Sequence, residues 1–462
     1  MSKSSAFAGE ARALFLIAWP MTIAQLAQMG TGVVDTIMAG HYSATDLAAI
    51  AIGYNIWLPL FLFTLGIMLA GSAIIAQDFG AGKIQRIRDA LPQSLWLALF
   101  LGLLIAPACY GVDPLLQLLD LDATTHDKSL GYLQAVAFGL PATVIFQALR
   151  CHIQGIGIMR PFAIASVIGF AANIPLNYAF IYGKWGIPEM GATGCGWATA
   201  ISMWLGVALI GFYMLRAQAV KPYLPPVKLS APNWEKIGEI LAVGFPIGLT
   251  FFLEIGVFSI IALLIATLGN TAMAAHQIAF NVWDVAYMPL ISIGSAMATR
   301  VGHAIGRGDR IELRLSLKVG STALIAVGIL FMLVLLSVPG GIIGIYTEDE
   351  GIYLIAIGLI RLAALFIIID SVQVAVSFGL RAFKDTRFPF VVMCVSYWLI
   401  AMPLGYWLGI VVADNPADGT AGFWGSLIAG IAISTLPISW RLYHTLQKPL
   451  PRPDTFEHES AY

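Results

Sequence analysis

Apolar runs of twenty or more residues recur along almost the whole chain, and nothing else limits its fold so severely. Read between clusters of charge, they fall near 13–38, 47–76, 91–112, 129–150, 161–182 and 191–215, then near 237–268, 274–300, 315–338, 351–378, 388–412 and 420–445. A helix crosses the hydrocarbon core of a bilayer in about 20 residues. Inside that core every backbone N–H and C=O has to find its partner within the chain, which leaves helices or a closed barrel. Barrel strands are segments of roughly ten alternating residues, much shorter than these runs. The expected fold is therefore an all-α membrane protein with twelve transmembrane helices. Composition agrees: 11% of the 462 residues are charged, where a soluble domain carries about a quarter, too few to cover a water-facing surface.

The net charge of −1 says little about partners, because the charges are segregated along the chain. Of the 25 Lys and Arg residues, 22 fall on one side of the expected membrane when both termini are counted. Lys128 and Lys184 lie on the other side with Asp120, Asp122, Glu348, Asp349 and Glu350, and Arg361 alone lies within a span. The positive-inside rule then places both termini in the cytoplasm and makes the number of spans even. The polar start, MSKSSAFAGEAR, is followed by an apolar run too long for a cleaved signal peptide, so the first span is expected to be retained. The one long polar connection, 216–236, is rich in proline and suits an extended cytoplasmic linker.

That linker separates two similar halves. Displaced by 226 residues, Pro20, Gly30, Asn55, Trp57, Gly80 and Gly82 fall on Pro246, Gly256, Asn281, Trp283, Gly306 and Gly308 without a gap. Displaced by 228, Pro161, Pro175, Gly191 and Gly194 fall on Pro389, Pro403, Gly419 and Gly422. An even number of helices per repeat gives both halves the same orientation, so the repeat predicts two six-helix bundles related by a pseudo-twofold axis along the membrane normal. The expected division is an N-terminal lobe at 1–215, the linker at 216–236 and a C-terminal lobe at 237–462. Such parallel repeats are a transporter architecture, with a cavity between the halves.

Few charges lie deep within the spans, where each costs at least ~3 kcal/mol. Asp35 sits in GTGVVDTIMAG, Glu254 in FFLEIGVF, Asp284 in NVWDVAYM and Asp370 in FIIIDSVQ. None of these acids can face lipid, so each needs the protein interior, a partner or water. One reading has them bind and release protons or metal cations; the other fixes them in structural networks, with Asp284 paired to Arg361. Three acids in one half without matching bases favour the first. Asp46, Asp78 and Asp89, at span ends, read as solvated. Asn173 and Asn177 in AANIPLNYAFIYG share a helix face, and Pro175 between them frees a backbone carbonyl. That patch suits a cation or proton as well as it suits helix–helix hydrogen bonding. Gln277, Asn281 and Gln373 offer similar groups in the second half, and the aromatic faces of Trp283 and Phe366 beside the acids suit organic cations. His276 reads as a hydrogen-bonded residue rather than a ligand. Cys109, Cys151, Cys195 and Cys394 lie far apart, form no CxxC and read as packing residues.

Several strings resemble one family. AWPMTIAQLAQMGTGVVDTIMAGHYSATDLAAIAIG, GAGK after the second span, NIPLNYAFIYGKWGIPEMGATGCGWAT and GNTAMAAHQIAFNVW are similar to the multidrug and toxic compound extrusion (MATE) family, in its NorM-type branch. The resemblance spans nearly the whole chain. It implies a bacterial inner-membrane transporter, a monomer surrounded by lipid, that exports organic cation drugs and dyes in exchange for Na⁺ or H⁺ and so confers antibiotic resistance. Nucleic acid and cofactors have no part in it. It also implies that Asp35, with Asn173 and Asn177, is the coupling site of the first lobe, and that Glu254, Asp284 and Asp370 form the cation site of the second, able to take Na⁺. Asn281, Trp283, Phe366 and Gln373 would line the substrate cavity. A lipid-linked-precursor flippase would need a basic cavity rather than these acids. A membrane-embedded enzyme would need a catalytic cluster, and neither HExxH, GxSxG nor CxxC occurs. A channel fits the twofold repeat with buried acids less well than alternating access does.

Overall fold

Helix accounts for nearly all of the chain. The computed structural model describes residues 3–119, 121–225 and 230–450, and among these no β-strand occurs. Asp120, Lys228, Arg452 and the rest of 226–229 and of the two chain ends, which entered the charge count, lie outside the described residues.

Twelve long helical runs follow one another. They are α1 (Lys3–Tyr42), α2 (Ala44–Gly80), α3 (Ile84–Tyr110), α4 (Ala123–Gly155), α5 (Arg160–Ile181) and α6 (Gly191–Arg216). Then come α7 (Trp234–Ala266), α8 (Asn270–Arg307), α9 (Arg310–Ser337), α10 (Glu350–Ala382), α11 (Arg387–Val411) and α12 (Pro416–Gln447). Eleven are long and apolar enough to cross a membrane. The other is α8, whose 38 residues give ample length but whose first half carries Gln277, Asn281 and Asp284, which dilute its hydropathy. Within α11, π-helical turns at Val395–Ala401 and Trp407–Val411 interrupt the regular ladder.

The chain forms two compact units, one of Trp19–Gly248 and one of Met1–Ala18 with Leu249–Tyr462. The unit boundaries fall inside α1 and α7, close to Pro20 and Pro246, where a proline removes a helical hydrogen bond. In the first unit α2 packs against α4 and α3, and α5 against α6, around a core that includes Trp57, Leu97, Tyr132, Leu140 and Cys195. In the second unit α10 is central, packed against α8, α9 and α12.

The two halves repeat in three dimensions at the positions where their sequences matched. Gly82 and Gly308 end the second helix of each half with left-handed φ values of 71° and 69°, a conformation that disfavours any side chain. Gly30 faces the ring of Phe170, where an added Cβ would lie 3.0 Å away, and Gly256 faces the ring of Trp398, where it would lie 3.3 Å away. Gly194 lies against the backbone of Phe180, as Gly422 does against that of Leu408. In each pair the residues obey the offsets of 226 and 228 read from the sequence.

The described part of the 216–236 connection is strapped to α3. Arg88 Nε donates to the carbonyl of Pro222 at 2.8 Å, Trp96 Nε1 to that of Ser230 at 3.0 Å, and the Gln93 amide bonds Ser230, Ala231 and the Asn233 N–H.

Two span-end acids are not solvated, contrary to the sequence reading. Asp46 is 1% exposed, accepting from Lys128 Nζ at 2.6 Å and from the Ala192 N–H at 2.8 Å, which ties α2 to α4 and α6. Asp78 is buried, with Arg86 Nε 3.5 Å away. Removing a buried carboxylate strands both of its donors, although the partly exposed Lys128 can rehydrate. Asp46→Ala is expected to destabilise the protein by about 2 kcal/mol. Thermal unfolding of the purified variant in detergent checks this, and an unchanged midpoint would show that the pair carries no stability.

Candidate functional site

In the first unit, three helices place neutral donors around one acid. Asp35 lies about two turns before the end of α1 and is 6% exposed. From α5, Asn177 Nδ2 donates to Asp35 Oδ1 at 2.6 Å and also to Asn173 Oδ1, one turn earlier, at 2.9 Å. From α6, Thr199 Oγ1 donates to Asp35 Oδ2 at 3.0 Å, and the buried Cys195 lies one turn earlier on the same face. Asn173 and Asn177 are fully buried, as the Asn-x-x-x-Asn spacing on one helix face requires if both are to point inward. Asn173 Nδ2 and Asn177 Oδ1 have no partner. No Lys or Arg among the described residues forms an ion pair with Asp35. The carboxylate's charge is thus met by dipoles alone.

The second unit gathers a different set. Asp370, in the middle of α10, is 3% exposed, and its Oδ2 has no hydrogen-bond partner. The indole N–H of Trp283 on α8 turns toward it without reaching bonding geometry, so that group is also unpartnered. Glu254 on α7 lies close enough for its charge to act on Asp370, and both acids act on the phenols of Tyr287 on α8 and Tyr397 in the π-helical turn of α11. Around them runs an aromatic chain. Trp283 stacks on Tyr287 with centroids 5.0 Å apart and meets Phe366 edge-on at 5.5 Å.

Not every residue singled out in the sequence joins these groups. Asp284 is half-buried one residue from Trp283, about 100° round α8, and shows no interaction with Glu254 or Asp370 among those of the described residues. Among the described residues no three His, Cys, Asp or Glu side chains converge as a metal-holding group. Arg361 is exposed and forms no ion pair with Asp284 among the described residues. Asn281 accepts from Gln277 Nε2 at 3.2 Å, and Gln373 Nε2 lies 3.4 Å from Met393 Sδ. His276 accepts a hydrogen bond from Trp424 Nε1 at 3.2 Å, as the sequence reading expects. Sequence reasoning passed over Thr199, Tyr287 and Tyr397. The GCGWAT string held a signal for the first, a polar residue one turn after Cys195, but a lone Thr in a helix commonly bonds its own backbone instead.

Comparison with known proteins now bears on this geometry. The MatE family model matches residues 20–179 and 246–407, one match in each half, and the two matches start at the first pair of repeat prolines. The chain is a member of the MatE family. It is 38% identical over 441 residues to multidrug resistance protein MdtK of Edwardsiella ictaluri (strain 93-146), covering 95% of this chain and 96% of the relative. The MdtK protein of Photorhabdus laumondii subsp. laumondii is 37% identical over 447 residues, with the same coverage. Among solved structures, the eukaryotic MATE transporter AtDTX14 superposes with a TM-score of 0.86 at 18% identity, covering 98% of this chain and 99% of that one. An outward-facing multidrug resistance MATE family transporter of the MOP superfamily gives 0.85 at 18% identity, over 95% and 96%. Membership of this transporter family sets the chain apart from enzymes, and its fold is the two-lobed fold of MATE transporters.

Thr199 offers a test of the first cluster. Losing one hydrogen bond to a charged group costs about 1.5–3 kcal/mol, so Thr199→Val is expected to lower ion-driven export on the order of tenfold. Thr199→Ser keeps the hydroxyl and is expected to retain most of it. Flux into or out of proteoliposomes at matched protein levels reads the difference, and equal activity of the valine and serine variants would remove Thr199 from the site.

Proposed function

We propose that this MatE family member is a multidrug efflux transporter of the bacterial inner membrane, exporting organic cations by antiport with Na⁺ or H⁺ through alternating access. The observation that carries the reading is the manner in which Asp35 and Asp370 are buried. Each lies at 6% exposure or less in a membrane-spanning helix, in different units, and neither forms an ion pair with a base among the described residues. A charged carboxylate so placed is costly when alone and stable when a proton or a small cation joins it. A group with those properties is an ion carrier, provided the site opens to each side in turn. The names of its MdtK relatives, multidrug resistance proteins, support drugs as the cargo.

On this reading Asp35, Asn173 and Asn177 bind the coupling ion in the lobe spanning 1–215. Glu254 and Asp370, with Asp284 nearby, do so in the lobe spanning 237–462. The 216–236 connection and both termini face the cytoplasm, and the protein works as a monomer in lipid. Trp283 and Phe366, which meet edge-on, present ring faces suited to flat organic cations, with Asn281 and Gln373 as further polar groups of the cavity.

Three outcomes are expected. Asp35→Asn and Asp370→Asn keep size and hydrogen bonding but remove the exchangeable charge, so each should abolish most ion-driven efflux in proteoliposomes at wild-type protein levels. A structural network would tolerate both, and near-normal transport by the two variants under Na⁺ and H⁺ gradients would remove the mechanism's central residues. Cells expressing the protein should resist large monovalent cationic dyes more than anionic drugs of equal size; equal resistance would show that the acids do not set selectivity. A cysteine introduced at Pro225 of a variant free of other cysteines should escape an impermeant thiol reagent in intact cells. Strong labelling there would invert the topology.

A further inference from the structure

The segments that leave the two halves of the repeat begin alike. Lys221 and Pro222 follow α6, Lys448 and Pro449 follow α12, and at the same offset of 227 Pro226 falls on Pro453. In the first half this segment lies along α3. Arg88 Nε donates to the carbonyl of Pro222 at 2.8 Å and Trp96 Nε1 to that of Ser230 at 3.0 Å, with Pro92 and Gln93 buried between them. In the second half the same course begins on α9, the counterpart of α3, where Arg310 Nη2 donates to the carbonyl of Lys448 at 2.6 Å. Beyond that point nothing among the described residues covers the face. Arg314 and Lys318, which follow Arg310 at one-turn intervals, are exposed and form no ion pair among the described residues. Their counterparts at the offset of 226, Arg88 and Pro92, are half-buried and buried under the linker. The nearest acids of α9 are committed elsewhere: Asp309 caps the helix, and Glu312 holds Arg307 Nε at 2.8 Å.

We infer that residues 451–462, PRPDTFEHESAY, strap this basic face of α9 and set Asp454, Glu457 and Glu459 against Arg314 and Lys318. Charge favours the match, since the segment carries three acids and a single Lys or Arg, Arg452. Reach allows it. Lys318 lies eight residues beyond Arg310, about 12 Å along the helix, and the six residues from Lys448 to Asp454 span up to about 20 Å when extended. Exposed ion pairs are individually weak, but the anchor at Lys448 presents these acids at an effective concentration on the order of millimolar. Anionic lipid headgroups also suit basic residues at a helix end, yet they account for neither the Lys-Pro repeat nor the bond at Lys448. The strap ties the end of α12 to α9 as the linker ties the end of α6 to α3. Nothing in this contact depends on how the protein couples ions to cargo.

Carbodiimide coupling of the purified full chain tests the strap, because the reagent joins a lysine amine to a carboxylate touching it, forming an amide with loss of water. Peptide mapping is expected to find Lys318 joined to Asp454, Glu457 or Glu459 within a single chain. Asp454→Asn, Glu457→Gln and Glu459→Gln together should remove those products. Their yield should fall severalfold as the Debye length shrinks from about 30 Å at about 0.01 M salt to about 3 Å at about 1 M. Repeating the reaction in phosphatidylcholine and in phosphatidylglycerol nanodiscs examines the rival occupant. Similar yields in both support the strap, whereas loss of the product in phosphatidylglycerol would give the face to lipid and overturn it. No product with Lys318 in any medium, or products only between chains, would overturn it as well. A second measurement needs no lysine chemistry: Arg314→Glu with Lys318→Glu should speed cleavage after Glu457 by a glutamate-specific protease severalfold. Unchanged cleavage would show that the segment does not rest on α9.

Discussion

Hydrocarbon supplies no hydrogen bonds, and that single deficiency orders this structure from the backbone to the site. Twelve long helices satisfy the main chain internally, because an unpaired amide in lipid costs several kcal/mol. The same deficiency turns polar side chains inward and demands a partner for each. Leaving Asp370 aside, the chain meets that demand in two ways. Glu10 is gripped by Arg300 through two guanidinium nitrogens, at 2.9 and 2.6 Å, and by Ser316 Oγ at 2.7 Å. Asp46 has Lys128, and the partly buried Asp385 has Arg441 Nε at 2.7 Å. Asp35 instead has an amide and a hydroxyl.

Duplication accounts for the scaffold and leaves the site untouched by it. The left-handed turns at Gly82 and Gly308 disfavour any side chain, and the close approaches at Gly30 and Gly256 leave little room for one, so both halves retain glycine there at fixed offsets. The acids obey no such symmetry. Position 254 of the second half corresponds to Gln28 in the first, where the amide donates to Ser166 Oγ at 3.3 Å, and Asp35 corresponds to Ile261. Helix packing is a constraint that both halves share; the buried acids are placed separately in each.

This asymmetry explains what the sequence disclosed. The spans, the twofold repeat and the fold were legible because long apolar runs and glycine–proline register are one-dimensional signals. Asp35, Asn173 and Asn177 were legible for a related reason, since a charge or a pair of amides in an apolar helix stands out. Thr199 was not, because it is an ordinary small residue inside a helix and only the approach of α6 to α1 gives it a role. Asp46 misled in the opposite sense. It sits at a helix start where carboxylates are usually hydrated, and its burial depends on Lys128 and the Ala192 N–H, 82 and 146 residues away. Tyr287 and Tyr397 looked like two of many membrane aromatics until α8 and the π-helical turn of α11 brought both phenols to the same pair of acids.

The two ways of satisfying a buried acid have different consequences for motion. A carboxylate paired with a covalently attached base carries its neutralising charge with it, so no ion from either side of the membrane has reason to replace that base. Glu10 with Arg300 is of this kind, and it fastens the first turns of α1 to α8 and α9. Some 25 residues later the same continuous helix carries Asp35, whose donors are neutral and which has no ion pair with a base among the described residues. Neutral donors orient the carboxylate and lower the cost of its charged form without cancelling it, so the ion-free and ion-bound states stay close in free energy. A fixed base would have trapped the acid in one state. An acid held by amide and hydroxyl dipoles remains exchangeable, and exchangeability at a site buried within a membrane-spanning helix is what coupling to an ion gradient requires.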